Sequence, residues 1–242
     1  MTYDIGIIGG GIVGAATLYK LQNKYPNLKI ILIEKEKCLA DHQTGHNSGV
    51  IHSGLYYKPG SLKAKNCVEG RHELVAFAKE HNIAHDICGK VVVATKESEL
   101  EYLEKIYQNG IANNIEGLKK ITGAEIKEYE PYVEGIAGLF VACTGIIDFR
   151  GATAKMVELA IKTQPESKLL LEHEVIDVKK GASSSTIITN KGNFEAKHLV
   201  FCAGLQADRL ARKDGVKLKE QVVGFRGDYY ELSEDARKKV RN

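Results

Sequence analysis

The chain has 242 residues, of which 43% are apolar and 27% are charged, and its formal net charge at pH 7 is +3. This composition can build a folded core, and it excludes a disordered charged tail, a collagen and a coiled-coil rod. The small net charge provides no strong positive field, so nucleic acid is not an expected partner.

The N-terminal residues predict a β-α-β unit. The apolar run at 3–8 is typical of a buried parallel strand, and residues 12–24 carry apolar side chains at helical spacing. Pro26 ends that helix, and the apolar run at 29–34 predicts a second buried strand. A unit of this length predicts two parallel strands joined by a crossover helix.

Helices and strands alternate along the rest of the chain, after a long polar loop at 40–60. The predicted helices cover 61–81, 97–113, a short segment that Thr122 and Glu125 open as a capping box, 151–163 and 205–213. The predicted strands cover 90–95, part of 135–149, several segments of 168–202 with a turn at 190–192, and 217–232 with breaks at Gly224 and Gly227. We expect an α/β fold with two domains. A Rossmann-like cofactor domain comprises 1–82 and 145–213, and an incomplete, sheet-rich α+β substrate domain comprises 83–144 and 214–242.

The strongest local motif is Gly9-x-Gly11-x-x-Gly14, which follows the first strand and opens the first helix. Gly9 permits a tight turn, Gly11 lets the backbone approach a pyrophosphate, and Gly14 lets helix and strand pack closely. The helix N-terminus offers free N–H groups to phosphates. Glu34 ends the second strand about 20 residues later, where an acidic residue binds ribose hydroxyls. The pattern therefore predicts a dinucleotide site.

The motif alone does not distinguish NAD from FAD, but two other features favour FAD. The chain carries a single motif of this kind, so no second site for a nicotinamide reductant is predicted. A polar, glycine-containing loop at 42–54 follows the ribose-binding strand, where an extended flavin needs contacts. The late strand that ends in Ala203 and Gly204 could also bring backbone to the cofactor, although an ordinary glycine turn after a core strand is the alternative.

Residues 42–60, HQTGHNSGVIHSGLYYKPG, resemble the L-2-hydroxyglutarate oxidases and dehydrogenases of the FAD-dependent D-amino-acid-oxidase-like superfamily. Supporting matches occur at 61–67, 144–150 and 225–230. The resemblance implies oxidation of the small dicarboxylate L-2-hydroxyglutarate to 2-oxoglutarate, with oxygen, a quinone or another carrier as the electron acceptor. Members of the family are longer, so we expect a truncated chain or one half of a split protein, whose other half is a separate chain.

The resemblance also implies roles for individual residues. The cofactor-binding residues it implies are Gly9, Gly11 and Gly14 at the pyrophosphate, Glu34 at the ribose, Thr44, Asn47 and Ser48 near the flavin, Val175 at the adenine and Gly204 beside the cofactor. Further predicted cofactor-binding residues are Ile12, Val13, Lys35, Gly45 and Ala203. It places His52 where related enzymes have a histidine near the flavin.

Alcohol oxidation needs a group that accepts the hydroxyl proton, and a neutral imidazole suits this role near pH 7. His52 is the predicted base; a loop histidine that only bonds to backbone is the alternative. Arg226 and Arg150 are predicted to bind the substrate carboxylates, or else to form surface ion pairs. Tyr56, Tyr57 and Lys58 are predicted to assist. The histidines lack a metal-ligand pattern, so no metal is expected.

Two rival functions stay open at this point. The first is a related flavoenzyme that acts on another small acid or amine, such as glycerol 3-phosphate or an amino acid. The second is an inactive fragment that merely holds FAD.

The five cysteines are widely spaced, which favours free, mostly buried thiols in a reducing compartment. No apolar run approaches the roughly 18 residues of a membrane span, and no targeting segment is recognisable. We expect a cytoplasmic protein, with peripheral contact to the inner membrane as an open alternative.

Overall fold

The computed structural model describes residues 2–241. The helices are α1 (Ile12–Lys24), α2 (Leu62–Glu80), α3 (Leu100–Ala112), α4 (Gly123–Tyr129), α5 (Phe149–Thr163), α6 (Ala207–Lys213) and α7 (Glu234–Arg237). The strands are β1 (Thr2–Ile8), β2 (Ile30–Ile33), β3 (Val50–Ile51), β4 (His85–Asp86), β5 (Val91–Ala94), β6 (Leu118–Thr122), β7 (Ala137–Val141), β8 (Gly145–Ile147), β9 (Lys168–Leu170), β10 (Val175–Lys180), β11 (Ser185–Thr189) and β12 (Gly192–Phe201). The predicted mixed α/β fold is confirmed.

The chain divides into two compact units. The first consists of Met1–Asn47 and Phe149–Gly227, and the second of Ser48–Asp148 and Asp228–Asn242. Residues 48–82, which the sequence analysis assigned to the cofactor domain, pack within the second unit. The functional roles of the two units remain predictions.

A six-stranded sheet organises the first unit, in the order β10-β11-β12-β1-β2-β9. The strands β12, β1, β2 and β9 run parallel, while β10 and β11 pair antiparallel at one side. All four residues of β2 are buried, which is the expected state of an apolar strand covered on both faces. α1 joins β1 to β2 and packs against α5. The predicted β-α-β unit is therefore confirmed.

Two three-stranded antiparallel sheets lie in the second unit, in the orders β3-β8-β4 and β5-β7-β6. The apolar faces of β5 and β7 meet those of α3 in a core that includes Leu55, Ala94, Leu103 and Leu139. The predicted capping box is present at α4, where the Thr122 hydroxyl accepts a hydrogen bond from the Glu125 N–H and the Glu125 carboxylate accepts one from the Thr122 N–H. The predicted sheet-rich second region is confirmed.

The prediction of a strand over 217–232 is wrong, because this segment has no regular secondary structure. Phe225 and Tyr230 are 93% and 94% exposed. A strand requires a neighbour that pairs with its backbone, and the described residues provide none here.

The expectation of mostly buried thiols is also wrong: all five cysteines are free, but Cys38 is exposed and the others are only half-buried.

Among residues 2–241, no helix is long and apolar enough to cross a membrane.

Candidate functional site

The turn after β1 requires glycine at two positions. Gly9 has φ = +114°, and a Cβ atom there would lie 2.3 Å from the Cys202 carbonyl oxygen. A Cβ atom at Gly14 would lie only 1.9 Å from the Gly9 carbonyl oxygen. β1 and β12 are parallel, so their carboxyl ends and the start of α1 meet at one edge of the sheet. This edge is where open α/β sheets bind nucleotides.

Gly11 differs from Gly9 and Gly14 because its backbone conformation is ordinary and the space beside it is open. Its backbone (φ = −78°, ψ = 178°) is one that any residue adopts. An added Cβ would have one neighbour within 4 Å, the Thr44 hydroxyl at 3.2 Å, among the described residues. Nor do those residues provide an acceptor for the N–H groups of Val13 and Gly14, the second and third residues of α1. The open space and free N–H groups fit an anionic diphosphate.

The Glu34 and Thr44 side chains accept hydrogen bonds from backbone N–H groups at this edge of the sheet. The Glu34 carboxylate accepts hydrogen bonds from the N–H groups of Gly10 at 2.6 Å and Glu36 at 2.9 Å. A carboxylate has about four acceptor positions, so capacity for ribose hydroxyls remains. The Thr44 hydroxyl accepts a bond from the Ile12 N–H at 3.0 Å. Its own hydrogen can still be donated to a bound group.

Arg150 braces the loop that carries Thr44. Its guanidinium lies 3.7 Å from the Asp41 carboxylate and donates to the Gly45 carbonyl at 3.5 Å. A Cβ atom at Gly45 would lie 2.2 Å from the backbone carbonyl oxygen of Ala40, so glycine is required there. The Asn47 amide donates to the carbonyls of Gln43 at 2.9 Å and Thr44 at 2.8 Å. These contacts connect the loop to α5 and to its own backbone.

The other predicted cofactor residues lie in different elements of the fold. Ala203 and Gly204 follow β12 directly, and Gly204 has φ = +53°. Val175 begins β10 and packs on the core of the first unit. Lys35 is exposed and pairs with Glu36 at 3.3 Å. Ser48 is exposed and belongs to the second unit.

The backbone around His52 is anchored on several sides. The Cys67 thiol donates to the His52 carbonyl at 3.3 Å, and Leu55 is 2% exposed in the core of the second unit. The Asn113 amide donates to the carbonyls of Gly54 at 3.2 Å and Tyr57 at 2.9 Å. The loop therefore presents the His52 side chain from a fixed backbone.

His52 borders two neighbouring cavities of the second unit. A recess of about 80 Å³ is lined by His52, Tyr56, Tyr57, Lys90 and Thr144 among others. A larger cavity of about 600 Å³ shares His52, Lys90 and Thr144 with the recess. This volume lies within the range of about 300–1,000 Å³ that small-molecule sites occupy. Partial burial, and secondly the charge of Lys90, lower the pKa of His52 from its ordinary value.

The predicted substrate residues are divided between the two units. Tyr56 and Tyr57 line the recess, whereas the exposed Lys58 lines neither cavity. Arg150 and the exposed Arg226 belong to the first unit. Sequence reasoning missed Lys90 and Thr144, because a lysine before a strand and a threonine in a turn carry no local signal of function.

A glycine turn at the carboxyl edge of a parallel sheet, with free helix N–H groups beside it, defines a dinucleotide-binding protein. The family model described as "FAD dependent oxidoreductase" (DAO) matches residues 4–242. The chain belongs to this family, as its motifs predicted, and FAD is the family's cofactor.

Two relatives share much of the sequence. An L-2-hydroxyglutarate dehydrogenase of Indibacter alkaliphilus is 45% identical over the whole chain, which covers 60% of that protein. An L-2-hydroxyglutarate dehydrogenase of Escherichia coli is 40% identical over 96% of the chain, which covers 54% of that protein. The chain thus spans little more than half the length of these relatives.

Solved structures share the fold. The L-alpha-glycerophosphate oxidase of Mycoplasma pneumoniae, with FAD bound, has a TM-score of 0.80 and 31% identity over 88% of this chain and 57% of its own. A glycine oxidase of Geobacillus kaustophilus has a TM-score of 0.80 at 23% identity over 90% of this chain and 59% of its own, and at that identity only the fold is shared.

Proposed function

We propose that this chain belongs to an enzyme that oxidises L-2-hydroxyglutarate to 2-oxoglutarate with FAD. The observation that carries the proposal is the 40–45% identity to two L-2-hydroxyglutarate dehydrogenases over 96–100% of the chain. The cavity beside His52 supports it, because its size suits a small molecule and Lys90 supplies a positive charge for an acid.

Bound FAD supplies two-electron acceptor chemistry. The chain's own contribution to the reaction is a base, a rigid loop and a binding surface. The lowered pKa keeps the His52 imidazole neutral at pH 7, so it can accept the hydroxyl proton of the substrate. Loss of that proton from oxygen and of a hydride from carbon converts the alcohol into the ketone. A substrate held by its carboxylates presents the reacting carbon in one orientation.

In this proposal the first unit holds FAD through the glycine turn, Glu34 and the loop braced by Arg150. The backbone N–H groups of Val13 and Gly14 bind the diphosphate, and Glu34 binds the ribose. Tyr56 and Tyr57 bind substrate. The proposed electron acceptor is oxygen, a quinone or another carrier, in the cytoplasm or at the inner membrane surface.

The test is anaerobic reduction of the purified yellow protein, followed by its visible flavin absorption. L-2-hydroxyglutarate should bleach the flavin, whereas D-2-hydroxyglutarate and glycine should not. Adding oxygen or a soluble quinone to the reduced protein then identifies the acceptor. A colourless protein that FAD cannot reconstitute would contradict the proposal.

Glycerol 3-phosphate is the second candidate substrate, because the glycerophosphate oxidase structure is 31% identical with a TM-score of 0.80. Bleaching by glycerol 3-phosphate without bleaching by L-2-hydroxyglutarate would replace the first proposal with this one.

A further inference from the structure

Lys90 is a half-buried cation, and the part of the chain that the structure describes provides no acidic partner for it. It precedes β5, and its ammonium donates to the Tyr56 hydroxyl at 3.0 Å and lies 4.7 Å from the centroid of the Tyr56 ring. Within residues 2–241, no aspartate or glutamate lies at ion-pair distance from it. An ammonium has three donors, and partial burial without a counter-ion is costly. An anion from outside the described chain would complete its surroundings.

Thr144 provides a second, independent sign of a ligand. The residue is only 4% exposed, and its hydroxyl oxygen is buried without a hydrogen-bond partner among the described residues. Its carbonyl accepts a bond from the Gly89 N–H at 2.9 Å, which holds Thr144 next to the chain segment that carries Lys90. Buried hydroxyls are normally bonded, so a partner is missing at this position.

The recess and the larger cavity both contact Lys90 and Thr144. The recess, at about 80 Å³, matches a group of a few heavy atoms, since a water in the liquid takes about 30 Å³. The other titratable groups, Cys88, Glu130, Tyr132 and Lys239, line only the larger cavity. The Glu130 carboxylate is engaged there by the backbone N–H of Arg241, at 3.1 Å from each oxygen. The recess itself carries positive charge and no carboxylate.

We propose that Lys90 and Thr144 form the subsite that binds a carboxylate of the substrate. The Lys90 ammonium supplies the charge, the Thr144 hydroxyl donates one hydrogen bond, and the Tyr56 hydroxyl lies beside them. The inference deepens the proposed function and rests on it, because the anion is a carboxylate of the acid that His52 deprotonates at its hydroxyl. It selects acids over neutral molecules of the same shape.

The test is calorimetric titration of the full chain with glutarate, a five-carbon dicarboxylate without a reacting hydroxyl, and with its neutral diamide. Lys90→Met keeps the apolar stem and removes the charge, so it should weaken glutarate binding about 10- to 100-fold. Thr144→Val should weaken it about 10-fold. Lys90→Arg and Thr144→Ser should restore most of the affinity. The exposed Lys119→Met on β6 is the matched control and should bind glutarate as the unaltered chain does.

Circular dichroism first establishes that each variant is folded, and Lys90→Gln, which also removes the charge, is used if Lys90→Met does not fold. The inference is overturned if folded Lys90→Met binds glutarate like the unaltered chain, or if the unaltered chain binds the diamide as well as glutarate. Glutarate binding that depends on Lys90, without flavin reduction by L-2-hydroxyglutarate, would leave the subsite standing and refute the proposed reaction. If Lys90→Met keeps both flavin reduction by L-2-hydroxyglutarate and the original affinity for that substrate, the proposed reaction stands and the subsite is refuted.

Discussion

Replacing Gly11 with alanine separates the cofactor role of the glycine turn from its structural role. A Cβ atom at Gly11 would have the Thr44 hydroxyl, at 3.2 Å, as its one neighbour within 4 Å among residues 2–241. The backbone there is an ordinary extended conformation. A shift of the Thr44 hydroxyl by a few tenths of an ångström accommodates the methyl group, which takes up space in front of the α1 N-terminus. We expect Gly11→Ala to fold and to bind FAD poorly.

Two small and opposing effects determine how Gly11→Ala changes the free energy of unfolding. Alanine is a poorer N-cap than glycine by about 0.5–1 kcal/mol. The same change reduces the entropy of the unfolded chain, which stabilises the fold by about 0.4–1 kcal/mol. The net change is within about 1 kcal/mol, or roughly 2–4 °C in Tm for a chain of this size.

The effect on FAD is larger, because the methyl group keeps the diphosphate away from backbone donors. Hydrogen bonds to charged groups contribute about 1.5–3 kcal/mol each. The loss of two such bonds raises the Kd by about 100-fold or more. FAD titration followed by the change in flavin fluorescence measures this value.

Gly14→Ala is the matched control for Gly11→Ala. Its Cβ would lie 1.9 Å from the Gly9 carbonyl, so α1 must move away from β1, and the overpacking costs about 1–3 kcal/mol or more. The control should lower the Tm of the FAD-free chain by more than the roughly 2–4 °C that limits the effect of Gly11→Ala. A Gly11→Ala chain that binds FAD within about threefold of the original affinity would refute the reasoning.

Four further predictions concern other parts of the chain. His52→Ala should retain FAD and slow flavin reduction by about 10²- to 10⁴-fold in stopped-flow measurements; unchanged kinetics would remove His52 from catalysis. The pKa of His52 is lowered from 6.5, so the neutral base is lost only when the pH falls below 6.5 and through the lowered pKa. Removal of the Lys90 charge raises this pKa, so Lys90→Met should move the acidic limb of the pH–rate profile to higher pH. The control Lys119→Met should leave this limb unchanged. Arg150→Met should weaken FAD binding because it releases the loop at Gly45, and a change confined to substrate affinity would instead support the predicted carboxylate-binding role. Thr122→Ala should lower the free energy of unfolding by about 0.5–2 kcal/mol in urea titrations, since it removes the cap of α4; an unchanged midpoint would contradict the capping assignment.

The parts of the fold that follow from short-range rules could be predicted from the sequence. The apolar runs of β1 and β2 and the glycines between them determine a strand, a tight turn and a helix within about 30 residues. The Thr122–Glu125 capping box is equally local. Such elements depend on neighbours in sequence, so their side chains identify them without knowledge of the rest of the chain.

The segment 217–232 shows where that reasoning fails. Its apolar and aromatic residues match the composition of a strand, yet the described residues leave Phe225 and Tyr230 almost fully exposed. Strand propensity expresses a fit to a pleated, half-buried surface rather than a property of the segment alone. The prediction required a neighbouring strand, and a sequence pattern does not say whether one is within reach.

The candidate substrate site could be predicted only in part for a related reason. His52 and Tyr56 belong to one loop, but Lys90 and Thr144 reach them through long-range pairing of β5 with β7 and of β3 with β8. The proximity of Lys90 to His52 also couples substrate binding to proton transfer.

The Lys90 charge contributes to the lowered pKa of His52. A carboxylate bound at Lys90 offsets that charge, so it raises the pKa of His52 towards the ordinary value and makes the imidazole a stronger base. A neutral molecule of the same shape leaves the charge uncompensated and meets a weaker base, so the proposed subsite favours acids in the chemical step as well as in binding.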